Sequence, residues 1–118
     1  MPNTVVIFGA SGDLTSRKLI PALYLLHQKG RLPKETRVVG VARTPFTHDA
    51  WRKDLEESTR KFIGKAFDAA TWATFASSIF YHRGDIDDAA SFQSLKAFLE
   101  TEVEKNAPAS RLYYLSTS

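Results

Sequence analysis

The feature that most constrains this chain is a set of four short apolar runs, TVVIF, RVVGVA, IFYHR and RLYYL, spaced by segments long enough for helices. Thr4–Phe8 and Arg37–Ala42 are nearly continuous in apolar residues, with no polar alternation. A strand of that kind is buried on both faces, which requires helices above and below it. Strands buried in this way are parallel, and parallel neighbours need crossover connections. The order reads β-α-β-α-α-β-α-β, which predicts an α/β fold with a Rossmann-like doubly wound parallel sheet. Right-handed crossovers give about four strands in the order 3-2-1-4. The first strand-to-helix turn then lies at the carboxyl edge of the sheet, beside the switch point where such sheets bind ligands. A full doubly wound sheet carries two more strands, so the sequence is expected to be the N-terminal part of a domain.

The helices are placed by their caps and apolar faces. Leu19–Gln28 has helical spacing and stops before Gly30. Thr47 or His48 opens a helix that carries Trp51, Leu55 and Phe62 inward. Asp68–Ser77 presents Trp72 and Phe75, and Asp87 or Asp88 caps a helix whose face is Phe92, Leu95, Leu99 and Val103. Tyr113, Tyr114 and Leu115 read as strand core. Pro21 lacks an amide hydrogen, so TSRKLI is expected to form a distorted helix start carrying Arg17 and Lys18 towards the carboxyl edge.

Composition narrows the function classes. The 118 residues make about one domain's length, with 43% hydrophobic and 25% charged residues. There is no cysteine, which excludes disulfides and thiolate metal sites and suits a cytoplasmic protein. No basic leader opens the chain, and no apolar run reaches membrane-spanning length. The net charge of +3 is spread along the chain and interleaved with acids. That argues against nucleic acid and membranes as partners and towards a small phosphorylated ligand.

The candidate ligand site is GASGDL, directly after the first strand. A strand-to-helix turn points free amides and the positive helix end at whatever lies above it, which favours phosphate. Gly9 permits the sharp turn, Gly12 lets the backbone approach a ligand, and Ser11 adds a hydroxyl. A phosphoryl-transfer loop is excluded, because Gly12 is followed by Asp13 and not by Lys-Ser or Lys-Thr. Asp13 is read as a helix cap pointing away from the ligand. Arg43 and Thr44 end the second strand, where an NAD site would carry an acid, so the chain favours NADP. Ser116 and Thr117, at the end of the fourth strand, are placed within reach of a cofactor. His27, His48 and His82 are read as surface or satisfied histidines. Asp85, Asp87 and Asp88 are assigned turn and cap roles and not a cation site. One of Arg17 and Lys18 faces the cleft, and the residues alone leave open which.

IFGASGDLTSRKLIPALYLL, VVGVARTPF, GDIDDAASFQSL and RLYYLS, in that order, resemble the N-terminal part of the glucose-6-phosphate dehydrogenase family. The resemblance covers essentially the whole chain. It implies an enzyme that oxidises glucose 6-phosphate to 6-phospho-glucono-lactone with reduction of NADP, at the entry to the pentose phosphate pathway. It also implies a homo-oligomer, and a C-terminal β+α substrate and dimerisation domain absent from these residues. The family's coenzyme fingerprint falls on Gly9, Ala10, Ser11, Gly12, Asp13 and Leu14, with cofactor contacts at Arg43 and Thr44. The lysine of its R-K-L block, which reaches towards the sugar phosphate, falls on Lys18. The family's base is a histidine in a D-H-Y-x-G-K motif that this sequence lacks, so no catalytic residue is expected here and the segment alone is expected to be inert. A short non-catalytic NADP-binding or interaction module is the alternative.

Overall fold

The computed structural model describes residues 2–85 and 87–116; Thr117, named above beside Ser116, lies outside them. Strand β1 (Asn3–Phe8) is followed by a π-helical turn (Thr15–Leu19) and helix α1 (Ile20–Gln28). Then come β2 (Thr36–Ala42), α2 (His48–Ile63), α3 (Ala69–Ala76), β3 (Ile79–Arg83), α4 (Ala89–Phe98) and β4 (Ser110–Leu115). All pairings are parallel and the order is β3-β2-β1-β4, as the run of buried strands predicts.

The caps of α2, α3 and α4 each fall on one residue. Thr47 accepts the Ala50 amide at 3.0 Å, Asp68 accepts the Thr71 amide at 2.8 Å, and Asp88 accepts the Ala90 amide at 3.0 Å. The distorted start of α1 also has a plain cause. Pro21 would press its ring on the carbonyl of Arg17, four residues back. The chain relieves this by widening the preceding turn, where the Ile20 amide bonds to the Thr15 carbonyl, an i to i−5 contact.

Two apolar layers enclose the sheet. On one face Ile7, Val38 and Ile79 meet side chains of α1, α2 and α3, including Tyr24, Trp51 and Phe75. On the other, Val6, Phe8, Val39 and Val41 meet Leu95, Leu99 and Val103. Burying a large apolar side chain contributes about 1.5–3 kcal/mol, so Trp51, only 1% exposed, ranks among the strongest single contributors. It fits because Gly40 of β2 has no side chain. A Cβ there would lie 2.6 Å from Trp51 Cζ2 and 2.8 Å from Ala10 Cβ.

The edges of the sheet are treated differently. On β3, α2 supplies the missing neighbour: His48 Nδ1 accepts the Tyr81 amide at 2.9 Å, and Arg52 Nε donates to the Ile79 carbonyl at 2.8 Å. Burial, and then the nearby Arg52 charge, hold the His48 imidazole below its ordinary pKa. Edge β4 has no such cover among the described residues, and this corrects the expectation that Tyr113, Tyr114 and Leu115 are core. They are 52%, 41% and 63% exposed. Their apolar character suits a two-sided strand, but burial needs layers on both faces, and β4 pairs with β1 alone. Two inward assignments are also corrected. Phe62, in the last turn of α2, is 53% exposed because Ile63 and Phe67 occupy the core contact there. Phe92, in the first turn of α4, is 43% exposed and reaches only the rim, 5.8 Å from the Phe8 ring.

Gly40→Ala is expected to lower stability by about 1–3 kcal/mol through overpacking against Trp51, read as a lower urea midpoint. A Gly40→Ala chain as stable as the parent would show that Trp51 has room to move. A second outcome concerns pH. With the folded-state pKa of His48 lowered, the unfolded chain binds the proton more readily, so stability is full above the ordinary value of 6.5 and falls as pH drops below it. His82, lowered by burial, adds in the same direction. Chemical denaturation between about pH 7 and pH 5 should show that fall, and His48→Gln should flatten it in part.

Candidate functional site

The carboxyl edge of the sheet is built by three segments that converge after β1, β2 and β3. After β1, Gly9 turns the chain at φ 79°, a value that strains any residue with a side chain. The amides of Gly9 and Ala10 both donate to the Val41 carbonyl, at 2.9 and 3.2 Å, and so lock the first turn to the end of β2. The Gly12 amide closes back on the Gly9 carbonyl at 3.1 Å. Ala10 is 1% exposed and belongs to the core, which anchors the turn from below.

After β2, Arg43 and Thr44 leave the sheet exposed. Thr44 Oγ1 donates to Ser11 Oγ at 3.2 Å and joins the two loops. Between them lies a cleft of about 470 Å³ whose wall includes Gly9, Ser11, Arg43, Thr44, Gly84, Asp85 and Asp87. Among the described residues the Arg43 guanidinium has no ion pair. An unpaired cation beside a strand-to-helix turn can hold an anion, and phosphate fits both.

The remaining candidates separate. Leu14 is exposed at the helix start. Asp13 does not cap it, because the backbone there is already helical and a cap needs extended geometry. Its carboxylate instead faces Arg17 Nε at 3.9 Å. Lys18 is exposed on the π-helical turn, outside the wall of the cleft, and carries no ion pair among the described residues. Ser116 is 7% exposed, and its hydroxyl accepts from Thr15 Oγ1 at 3.0 Å, tying the end of β4 to the first helix. The histidines lie elsewhere: His48 closes the β3 edge, His27 lines a depression at the amino edge, and His82 sits 3.3 Å from Ser94 Oγ. Asp85 Oδ1 accepts the Asp87 amide at 3.0 Å, a turn role, and no metal-holding group of acids and histidines occurs among the described residues.

Sequence reasoning missed four residues that shape this edge. Thr15, fully buried, holds Ser116. Tyr81 Oη donates to the Thr44 carbonyl at 2.6 Å, and Arg83 Nε donates to the Arg43 carbonyl at 3.2 Å. Gly84 donates its amide to the Ala42 carbonyl at 2.9 Å. Position was the available signal, since the end of the third strand must lie beside the end of the second.

A larger depression of about 570 Å³ lies at the amino edge, against His27, Arg37, Ser77 and Lys105. It sits under the C-terminal ends of α1 and α3, where helix dipoles are negative, and it lacks a strand-to-helix turn. The carboxyl-edge cleft is therefore the candidate.

The chain is similar to known proteins in sequence and in fold. Residues 6–118 match the family model described as glucose-6-phosphate dehydrogenase, NAD binding domain. The chain is 41% identical over 118 residues to the glucose-6-phosphate 1-dehydrogenase of Chlamydia muridarum, spanning 98% of this chain and 23% of that protein. Among solved structures, a glucose-6-phosphate dehydrogenase in complex with its substrate glucose-6-phosphate superposes with TM-score 0.80 at 34% identity, over 98% of this chain and 24% of that one. The glucose-6-phosphate 1-dehydrogenase of Mycobacterium avium gives TM-score 0.82 at 27% identity, over 99% and 24%. The chain thus spans about a quarter of the length of the proteins it matches.

Proposed function

The chain belongs to the glucose-6-phosphate dehydrogenase family, in the part that the family model describes as the NAD binding domain, and from that premise we propose that its carboxyl-edge cleft binds NADP. The observation that carries the proposal is the unpaired Arg43 guanidinium in the same cleft wall as the Gly9–Gly12 turn. A pyrophosphate suits the turn and the helix start behind it. A 2′-phosphate on the adenosine ribose suits Arg43, whose planar fork can pair with it. Thr44 and Ser11 supply hydroxyls between the two, and Gly12 presents backbone without a side chain. Asp85 and Asp87, in the lining of the same cleft, suit hydroxyl or amino donors of the adenosine.

In the full-length protein we assign the family's reaction, the oxidation of glucose 6-phosphate to 6-phospho-glucono-lactone. Bound NADP supplies a hydride acceptor. The residues here hold and orient the coenzyme, and Lys18, exposed beside the carboxyl edge, is assigned to the sugar phosphate. Hydride transfer from a sugar hydroxyl also requires a base, and the D-H-Y-x-G-K motif that carries the family's histidine does not occur in this sequence, so no catalytic residue is assigned here. The reading extends to a homo-oligomeric, cytoplasmic enzyme of the pentose phosphate pathway, and it calls for neither nucleic acid nor membrane. Among the described residues no helix is long and apolar enough to cross a membrane.

Arg43→Ala should weaken NADP binding by about 10- to 100-fold, the range of one or two charge-assisted hydrogen bonds, and leave NAD binding nearly unchanged. Equal losses for the two coenzymes by calorimetric titration would sink the assignment. The 118-residue chain mixed with NADP and glucose 6-phosphate should bind coenzyme and form no NADPH. Absorbance growing at the NADPH band would place the base within these residues after all.

A further inference from the structure

The Arg43–Thr44 loop is held in a way the coenzyme reading does not require. Three successive carbonyls at the end of β2 each accept a bond from β3 or the residue after it. Ala42 takes the Gly84 amide at 2.9 Å, Arg43 takes Arg83 Nε at 3.2 Å, and Thr44 takes Tyr81 Oη at 2.6 Å. The first continues the parallel ladder. The other two are side-chain bonds, made where the ladder has ended and where a loop would otherwise be free to move.

Tyr81 is the firmer of the two. It pairs in register with Gly40, whose missing side chain opens the space that Trp51 fills. Its ring lies 5.2 Å from the Trp51 ring and 5.4 Å, edge-on, from Phe46. The residue is 4% exposed, so the phenol has little freedom and its hydroxyl is aimed at the Thr44 carbonyl by packing alone. On its other side Thr44 bonds Ser11 of the first turn. The loop carrying Arg43 is therefore clamped between β3 and the turn, before any ligand arrives.

We propose that Tyr81 is a positioning residue for coenzyme selection: its hydroxyl fixes the Arg43–Thr44 backbone so that Arg43 meets a 2′-phosphate without first ordering the loop. The proposal rests on the NADP reading above. Ligands that lack the 2′-phosphate gain nothing from a pre-set Arg43, so the effect must fall on NADP and spare NAD. Tyr81→Phe removes one oxygen and keeps the ring that packs on Trp51 and Phe46.

The test is a double-mutant cycle in the full-length protein, with NADP and NAD affinities measured by calorimetric titration. Tyr81→Phe is expected to weaken NADP about fivefold, the worth of one buried hydrogen bond, with NAD changed less than twofold. In the Arg43→Ala background the same substitution should leave NADP affinity unchanged. Equal losses for both coenzymes, no loss for either, or a full loss that persists without Arg43 would each overturn the positioning role. If Arg43→Ala discriminates between coenzymes while Tyr81→Phe does not, only this proposal fails. If Arg43→Ala itself fails to discriminate, the NADP reading fails and takes the proposal with it.

Discussion

The arrangement depends on a missing side chain. Gly40, flanked by Val39 and Val41 in β2, lets the Trp51 indole and the Ala10 methyl close over the backbone of that strand. That one contact docks α2 and anchors the first turn together. With α2 docked, His48 and Arg52 reach β3 and satisfy its open edge. With the turn anchored, Gly9 and Ala10 bond Val41, and the cleft acquires a fixed floor. A glycine inside a strand costs conformational entropy and packing, and here the burial of Trp51 offsets both.

Most of the fold was legible because its signals are local. Continuous β-branched runs mark buried parallel strands, and the caps at Thr47, Asp68 and Asp88 each bond an amide two or three residues away. Even the irregular start of α1 follows from Pro21 and the carbonyl four residues before it. What failed was depth. Phe62, Phe92 and the tyrosines of β4 stand on faces that periodicity identifies correctly, but periodicity gives an angle and not the extent of the layer opposite. Glu104 is a further case. It lies 4% exposed under β1 and β4, accepting from Arg111 at 2.9 and 2.6 Å and from Thr4 at 3.0 Å, and these bonds hold it below the usual carboxylate range. Thr4 and Arg111 become neighbours only once β4 pairs with β1.

The candidate site divides along the same line. The residues of the turn and of the second strand's end were found from position and charge, because each is defined by its own few neighbours in sequence. The residues that hold them were not. Tyr81 lies 37 residues from Thr44, Arg83 lies 40 from Arg43, and Thr15 lies 101 from Ser116. A buried hydroxyl among aromatic and β-branched residues reads as core until the topology sets its partner beside it. Ser116 combines the two: its place at a strand end suggests a ligand contact, and in the fold its hydroxyl oxygen accepts from Thr15 and keeps its own hydrogen to donate.

Charge within the cleft follows from the direction of the helices. In a parallel sheet every helix runs back against the strands, so helix starts gather at the carboxyl edge and helix ends at the amino edge. The amino-edge depression is the larger of the two and carries Lys34, Arg37 and Lys105, but it lies where helices end, at the negative side of their dipoles. At the carboxyl edge the signs are reversed. Arg43 lines the same cleft as the turn that leads into the first helix, and it has no ion pair among the described residues. Asp85 and Asp87 line the same cleft, so its charge is mixed and does not favour every anion in every pose. A phosphate is favoured next to Arg43 and the turn and disfavoured next to Asp85 and Asp87, where hydroxyl and amino groups are favoured. Such a cleft suits a ligand that carries both phosphates and donor groups: strand order brings the positive helix start to this edge, and Arg43, Asp85 and Asp87 supply the rest.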